Sequence, residues 1–301
     1  MRGRHFTRVA DFSRDELELV LDTATELKAA AREDQHLLPG RALGMIFQKP
    51  STRTRVSFEV GIAQLGGHAL YLRSDDLQLG RGETIKDTAV VLSRYLDAIM
   101  IRTFEQSDVE ELAANASIPV INGLTDSAHP CQALADVLTI RERFGRVEDV
   151  RVAYLGDGNN VCSSLMVAVA RLGGSFVAAT PSGYEPAQNA LELARESGAR
   201  IDVTQDPEEA VRGADVLYTD VWTSMGQDAE REQRLRDLAG YGITEDLVAG
   251  AAEGAIVLHC LPAHYGEEIT EEVLYGPSSA VWDQAENRLH AQKALLALVV
   301  R

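Results

Sequence analysis

The sequence predicts an α/β protein built from two doubly wound parallel-sheet domains, with the active site in the cleft between them. Three observations carry that prediction. Short apolar runs alternate with segments of helical periodicity along the whole chain. The alternation breaks at Gly145-Arg146-Val147-Glu148-Asp149 and then resumes without any repeat of sequence. Finally, the polar residues best suited to chemistry fall just after the apolar runs, and ligands bind at the carboxyl ends of strands in such sheets.

Taken in order, residues 14–32 read as an amphipathic helix capped by Ser13, with Leu17, Val20, Leu21, Ala24 and Leu27 on one face. Strands follow at 42–47, 68–72, 98–102 and 119–122, alternating with helices at 51–65, 84–96, 108–115 and 131–144. This order marks a parallel sheet with helical crossovers. The polar turn at 145–149 divides the chain into domains 1–145 and 146–301. In the second domain, strands at 151–155, 175–179, 200–203, 215–219 and 255–260 alternate with helices near 161–172, 187–197 and 207–212. A last helix, about 283–300, is apolar on one face and is expected to pack back on the first domain.

Composition narrows the function. A chain of 301 residues is long enough for two cores. Its 46 acidic against 29 basic residues leave a net charge of −17, which argues against nucleic acid or an anionic membrane as partner and implies an acidic, heavily hydrated surface. Cys131, Cys162 and Cys260 form no C-x-x-C and cannot all pair, which suits a reducing compartment. The N-terminus is polar and turns acidic, so no signal peptide is expected, and the apolar tail 294–300 is too short to span a bilayer. A cytoplasmic enzyme acting on small molecules is the expectation.

The most informative stretch is Phe47-Gln48-Lys49-Pro50-Ser51-Thr52-Arg53-Thr54-Arg55. An apolar strand ends, a proline follows, and hydroxyls alternate with guanidiniums at the start of a helix. Free N–H groups and the positive dipole end make such a start an anion site, and guanidiniums bind phosphate bidentately. A plain Ser/Thr cap with solvated arginines is the alternative. The run F-x-K-P-S-T-R-T-R resembles the carbamoyl-phosphate loop of the aspartate and ornithine carbamoyltransferases, with Gln48 where glutamate is more usual. The residues alone point to a phosphate-like anion; the carbamoyl group is what the resemblance implies.

Further matches extend to residue 288. Arg102 ends a strand, and His129-Pro130-Cys131-Gln132 opens a helix, with proline tolerated in its first turn. The resemblance implies that Arg102 and His129 bind the carbamoyl oxygen, Gln132 the carbamoyl nitrogen, and Ser51, Thr52, Arg53 and Thr54 the phosphate, with Arg288 reaching the carbamoyl phosphate from the last helix. Gly156-Asp157-Gly158-Asn159-Asn160 invites a dinucleotide reading, but the third glycine of that fingerprint falls at Val161. In the family this turn offers an asparagine to the second substrate, here Asn160. Asp220, followed by Ser224-Met225-Gly226, is similar to the ornithine-binding loop: Asp220 pairs with an α-ammonium, and N–H groups around Ser224 and Met225 receive a carboxylate. His259-Cys260-Leu261-Pro262 matches the ornithine branch, where Cys260 and Leu261 line the carbamoyl site. Gln78 lies in a polar, Gly-rich stretch that in the family crosses to a neighbouring subunit.

The implied activity is transfer of a carbamoyl group from carbamoyl phosphate to the δ-amine of L-ornithine, giving L-citrulline and phosphate within arginine metabolism. Arg53, Arg102, His129 and Cys260 are the implied catalytic residues. The implied assembly is a homotrimer or a higher assembly of trimers. With no H-E-x-x-H and no metal-ligand spacing around Cys260, neither a metal nor an organic cofactor is expected. The competing readings are a carbamoyltransferase for putrescine, an acylated ornithine or aspartate, and a non-catalytic phosphate-ligand binding protein on the same fold.

Overall fold

The computed structural model describes residues 1–31, 35–73, 82–223 and 228–300. The chain forms two compact units, one of Met1–Ala135 with Asn287–Arg301 and the other of Asp136–Glu286.

The first unit contains α1 (Arg14–Ala29), β1 (Ala42–Phe47), α2 (Thr52–Gln64), β2 (His68–Arg73), α3 (Ile85–Leu92), β3 (Ala98–Arg102), α4 (Gln106–Asn115), β4 (Val120–Leu124) and the start of α5 (Pro130–Phe144). Its strands are all parallel, in the order β2-β1-β3-β4. Every residue of β1 is buried, as expected of a central strand in a parallel sheet, while β2 alternates at the edge. Ile46, Ile99, Ile101 and Val120 pack with Val109 and Leu112 of α4 to form one core cluster. The Ser13 cap is present: its hydroxyl accepts from Glu16 N–H and Glu16 answers to the Ser13 N–H, a capping box.

The second unit contains β5 (Arg151–Leu155), α6 (Asn160–Arg171), β6 (Ser175–Ala179), α7 (Gln188–Arg195), β7 (Ile201–Thr204), α8 (Pro207–Val211), β8 (Val216–Thr219), α9 (Arg231–Asp237), α10 (Glu245–Ala249), β9 (Ile256–His259), α11 (Glu271–Leu274) and the start of α12 (Val281–Val299). Its sheet runs β7-β6-β5-β8-β9, again all parallel. Ala153, Leu155, Val177, Leu217 and Val257 lie at the centre of its core. The chain leaves the first unit within α5, ahead of the turn at 145–149, and returns to it within α12.

Both strand orders reverse direction once. In the first sheet the reversal lies between β1 and β3, and in the second between β5 and β8. The loops leaving two such strands diverge, opening a crevice at the carboxyl ends. Ser51 and Arg102 stand at the first reversal, and Asn159 and Asp220 at the second.

Local departures from the sequence reading are small. The helix after Thr84 stops at Leu92, where Arg94 and Tyr95 switch to tight turn bonds onto Val91 and Leu92. The helices α9, α10 and α11 were not expected, being too short to show helical periodicity. Thr244 and Thr270 nevertheless cap the last two as their residue type favours. Among the described residues no helix is long and apolar enough to cross a membrane, and all three cysteines are free.

Candidate active site

In the first unit, the turn after β1 is anchored before any ligand group begins. Thr103 Oγ1 donates to Gln48 Oε1 at 2.6 Å, and Lys49 pairs with Asp126 while standing 4.3 Å from the Phe104 ring centroid. Ser51 then caps α2: its Oγ accepts from Thr54 N–H at 3.2 Å and donates to Thr54 Oγ1 at 3.2 Å. Two guanidiniums converge on that same hydroxyl, Arg102 Nη1 at 3.5 Å and Arg288 Nη2 at 3.2 Å. Arg288 also donates to Gln132 Oε1 at 2.7 Å and to Gln292 Oε1 at 3.0 Å. Thr54, Arg102, His129, Gln132 and Arg288 are all buried.

His129 reports the field these groups create. Burial holds its imidazole well below the ordinary range, and the Arg288, Arg102 and Arg53 guanidiniums push it further down. A neutral histidine facing three cations sits in strongly positive potential. The N-terminus of α2 adds to it. Burial also pushes the Cys131 thiol up to about 12, against the pull of Arg288, so this cysteine is inert packing. The arrangement suits a small anion with several oxygens and a neighbouring carbonyl.

In the second unit, Asp220 follows β8. Asn159 caps α6, its Oδ1 accepting from Val161 N–H at 2.9 Å and Cys162 N–H at 3.1 Å, while its Nδ2 donates to Asp220 Oδ2 at 2.8 Å. Cys260 Sγ donates to the other oxygen, Oδ1, at 2.8 Å. Neither donor is cationic, so these contacts orient the carboxylate without compensating its charge. It is suited to receive an ammonium group. The glycines of the 156–160 turn serve packing: a Cβ on Gly158 would meet the backbone of Tyr184, Glu185 and Pro186 at 2.3–2.6 Å, where no side chain fits. Arg234 pairs with Asp157 and donates to the Trp222 carbonyl at 2.5 Å, tying that turn to the segment after Asp220. Burial raises the Asp157 carboxyl, and Arg234 opposes the rise.

The end of β9 is held by a buried network. His259 N–H donates to Gln284 Oε1 at 2.9 Å, and Gln284 Nε2 donates to Asp136 Oδ1 at 2.7 Å. His259 Nδ1 accepts from Leu261 N–H at 2.8 Å, which leaves the proton on Nε2, facing Glu268 Oε1 at 3.2 Å. Leu261 has φ +59°, a left-handed conformation that a branched side chain adopts only when its surroundings impose it. Ligand atoms of Asp220, His259 and Cys260 lie within 4.8 Å of one another, but both ring nitrogens of His259 already have partners.

Of the residues singled out in the sequence, Ser51, Thr54, Arg102, His129, Gln132 and Arg288 come together in the first unit. Arg53 is exposed, yet its charge reaches His129. Thr52 is exposed in the first turn of α2. Arg55 has a different role: it turns outward, pairing with Glu59 at 3.2 Å and covering the Tyr71 ring at 4.1 Å. In the second unit Asp220, Cys260 and Leu261 are neighbours, and Asn160 is half-buried as the first residue of α6. Gln78, Ser224 and Met225 lie outside the described residues. Sequence reasoning missed Asn159 as the partner of Asp220, although its place just before an apolar helix is a capping signal. It also missed Glu268, Gln284 and Asp136, whose partners are distant in sequence and carry no local signal.

Comparison with known proteins gives a consistent result. Residues 4–142 match the family model "Aspartate/ornithine carbamoyltransferase, carbamoyl-P binding domain", and residues 148–299 match "Aspartate/ornithine carbamoyltransferase, Asp/Orn binding domain". An ornithine carbamoyltransferase of Anoxybacillus flavithermus is 57% identical, covering 98% of this chain and 96% of that protein. One from Pyrococcus horikoshii is 54% identical over 100% of this chain and 96% of its own length. The solved ornithine carbamoyltransferase of Pyrococcus furiosus superposes with a TM-score of 0.95 at 54% identity, covering 99% of this chain and 97% of that one. With both halves matched and relatives more than half identical along its length, this chain belongs to the aspartate/ornithine carbamoyltransferase family.

Proposed function

We propose that the chain transfers the carbamoyl group of carbamoyl phosphate to the δ-amine of L-ornithine, yielding L-citrulline and phosphate. The observation that carries this reading is the convergence of Arg102 and Arg288 on the Thr54 hydroxyl, in the Ser51-capped first turn of α2. Arg53, Ser51, Thr52, Thr54 and Arg288 hold the phosphoryl oxygens. Arg102 and His129 donate to the carbamoyl oxygen and stabilise the oxyanion that forms as the amine adds, a term that often dominates acyl transfer. His129 acts as a neutral donor, since burial and its cationic neighbours disfavour the imidazolium. Gln132 meets the carbamoyl nitrogen.

Asp220 takes the α-ammonium of ornithine, with N–H groups near Ser224 and Met225 receiving its carboxylate and Asn160 adding a polar contact. Cys260 and Leu261 line the site near the carbamoyl group. The δ-amine must be neutral to attack, whereas an alkyl amine in water has a pKa of about 10. Burial close to arginines lowers it. The amine nitrogen bonds to the carbamoyl carbon, the carbon–oxygen bond to phosphate breaks, and the amine proton leaves with the phosphate. Carbamoyl phosphate is already an activated acyl donor, so this chemistry calls for no cofactor.

The same reading assigns a homotrimer in which Gln78 completes the carbamoyl-phosphate site of a neighbouring subunit, and a cytoplasmic setting that keeps the three free cysteines reduced. The test is a product assay with carbamoyl phosphate and ornithine, putrescine or aspartate as acceptor. Citrulline from ornithine, with the other two at least about a hundredfold slower, is expected. Faster carbamoylation of putrescine or aspartate would overturn the ornithine assignment. A folded protein that carbamoylates none of the three would overturn the activity.

A further inference from the structure

Beyond H-C-L-P the chain makes a tight turn, His264-Tyr265-Gly266-Glu267-Glu268, that brings an imidazole and two carboxylates together. One ligand atom from each of His264, Glu267 and Glu268 lies within 4.8 Å of the other two. The turn is firmly built: Glu267 N–H donates to the His264 carbonyl at 3.1 Å, Gly266 N–H to the Ile269 carbonyl at 3.0 Å, and Gly266 has φ +80°.

The two carboxylates share an unusual feature. Glu268 is fully buried, and its Oε1 accepts from His264 N–H at 2.6 Å and faces His259 Nε2. Its Oε2 is buried with no hydrogen-bond donor; His264 Nδ1 stands 3.7 Å away, beyond hydrogen-bond length. Glu267 repeats the pattern, with Oε1 paired to Arg231 and Oε2 buried without a donor. A buried acceptor left without a donor is unfavourable, and Glu267 and Glu268 each carry one. One cation between them removes both penalties.

We propose that His264 Nδ1, Glu267 Oε2 and Glu268 Oε2 form a site for a divalent transition metal, with Zn²⁺ the best fit. Zinc takes imidazole nitrogen and carboxylate oxygen at about 2.0–2.2 Å, which in tetrahedral geometry sets ligand atoms roughly 3.3–3.6 Å apart. The 3.7 Å pair already approaches that spacing. The histidine weighs against Mg²⁺ and Ca²⁺, which prefer all-oxygen shells. His264 has 45% of its side chain exposed, so the cluster can be reached from solvent on that side. Because the metal uses Glu268 Oε2, the contact of Oε1 with His259 persists. The site's members differ from the cluster of Asp220, His259 and Cys260, which Glu268 touches through His259.

The test is metal binding to the chelator-stripped protein, followed by calorimetry with Zn²⁺ and by absorption with Co²⁺. One tight equivalent per chain is expected, with a Kd of about 1 µM or below, and Co²⁺ should show tetrahedral bands without thiolate charge transfer. His264→Ala and Glu267→Gln, both near the surface, should each weaken binding by at least about tenfold, and Cys260→Ser should leave it unchanged. Absence of saturable binding overturns the proposal. So does an affinity unmoved by His264→Ala in a protein of parental thermal midpoint, or one abolished by Cys260→Ser. None of these readouts depends on the proposed carbamoyl transfer.

Discussion

Arg288→Met tests the phosphate site most directly. Methionine keeps much of the unbranched aliphatic volume of the 4% exposed arginine and removes only its charge and donors. The hydrogen bonds lost include those at 2.7 Å to Gln132, 3.2 Å to Thr54 and 3.0 Å to Gln292. Their hosts are partly covered. Thr54 keeps Ser51 and Arg102, and Gln292 keeps its 2.8 Å bond to Ser57. Removing one of several clustered cations also relieves repulsion, so the net change in stability should stay within about 1–2 kcal/mol. Affinity should move much more. A charge-assisted hydrogen bond to an anion contributes about 1.5–3 kcal/mol, which converts to a roughly 10- to 150-fold weaker interaction. The assay is the KM for carbamoyl phosphate at saturating ornithine together with the inhibition constant of inorganic phosphate. Because Arg288 is the first of the charges depressing His129, the imidazole should also titrate closer to its ordinary range by NMR. A folded variant with both constants within about twofold of the parent would refute the assignment.

Arg53→Ala removes an exposed guanidinium whose charge acts on His129, and turnover should fall on the order of 10²–10³; near-parental turnover would sink its role. Asp220→Asn keeps an oxygen for Cys260 or Asn159 but discards the charge, so KM for ornithine should rise far more than KM for carbamoyl phosphate. Equal increases would mean that Asp220 does not receive the ammonium. For His129, burial and three guanidiniums place the folded-state pKa below the ordinary 6.5, so the unfolded chain takes up the proton first. Its contribution to stability is therefore complete above pH 6.5 and is lost as pH falls from there through the folded-state value. Thermal midpoints should decline less steeply with acid in His129→Gln than in the parent, and parallel declines would contradict the buried neutral imidazole.

Local pattern was enough to reveal the two parallel sheets, because a strand such as β1, buried along its whole length, must be apolar throughout, and an amphipathic helix such as α1 must repeat at helical spacing. The run Ser51-Thr52-Arg53-Thr54 was legible for a similar reason: a strand end, a capping hydroxyl and a guanidinium are neighbours in sequence. Sequence alone therefore determined the fold class and the family, and it supplied the expectation of an anion site. Local pattern did not separate Arg53 from Arg55, and only the family resemblance singled out Arg53, whereas folding places Arg55 on Tyr71 and Glu59. Nor did it find Asn159 beside Asp220, Glu268 beside His259, or the join of Gln284 to Asp136, partners separated by 61, 9 and 148 residues. Such pairings depend on which strands meet at a reversal of sheet order and which helix covers them. No short-range preference encodes that geometry, and only the tertiary structure decided it.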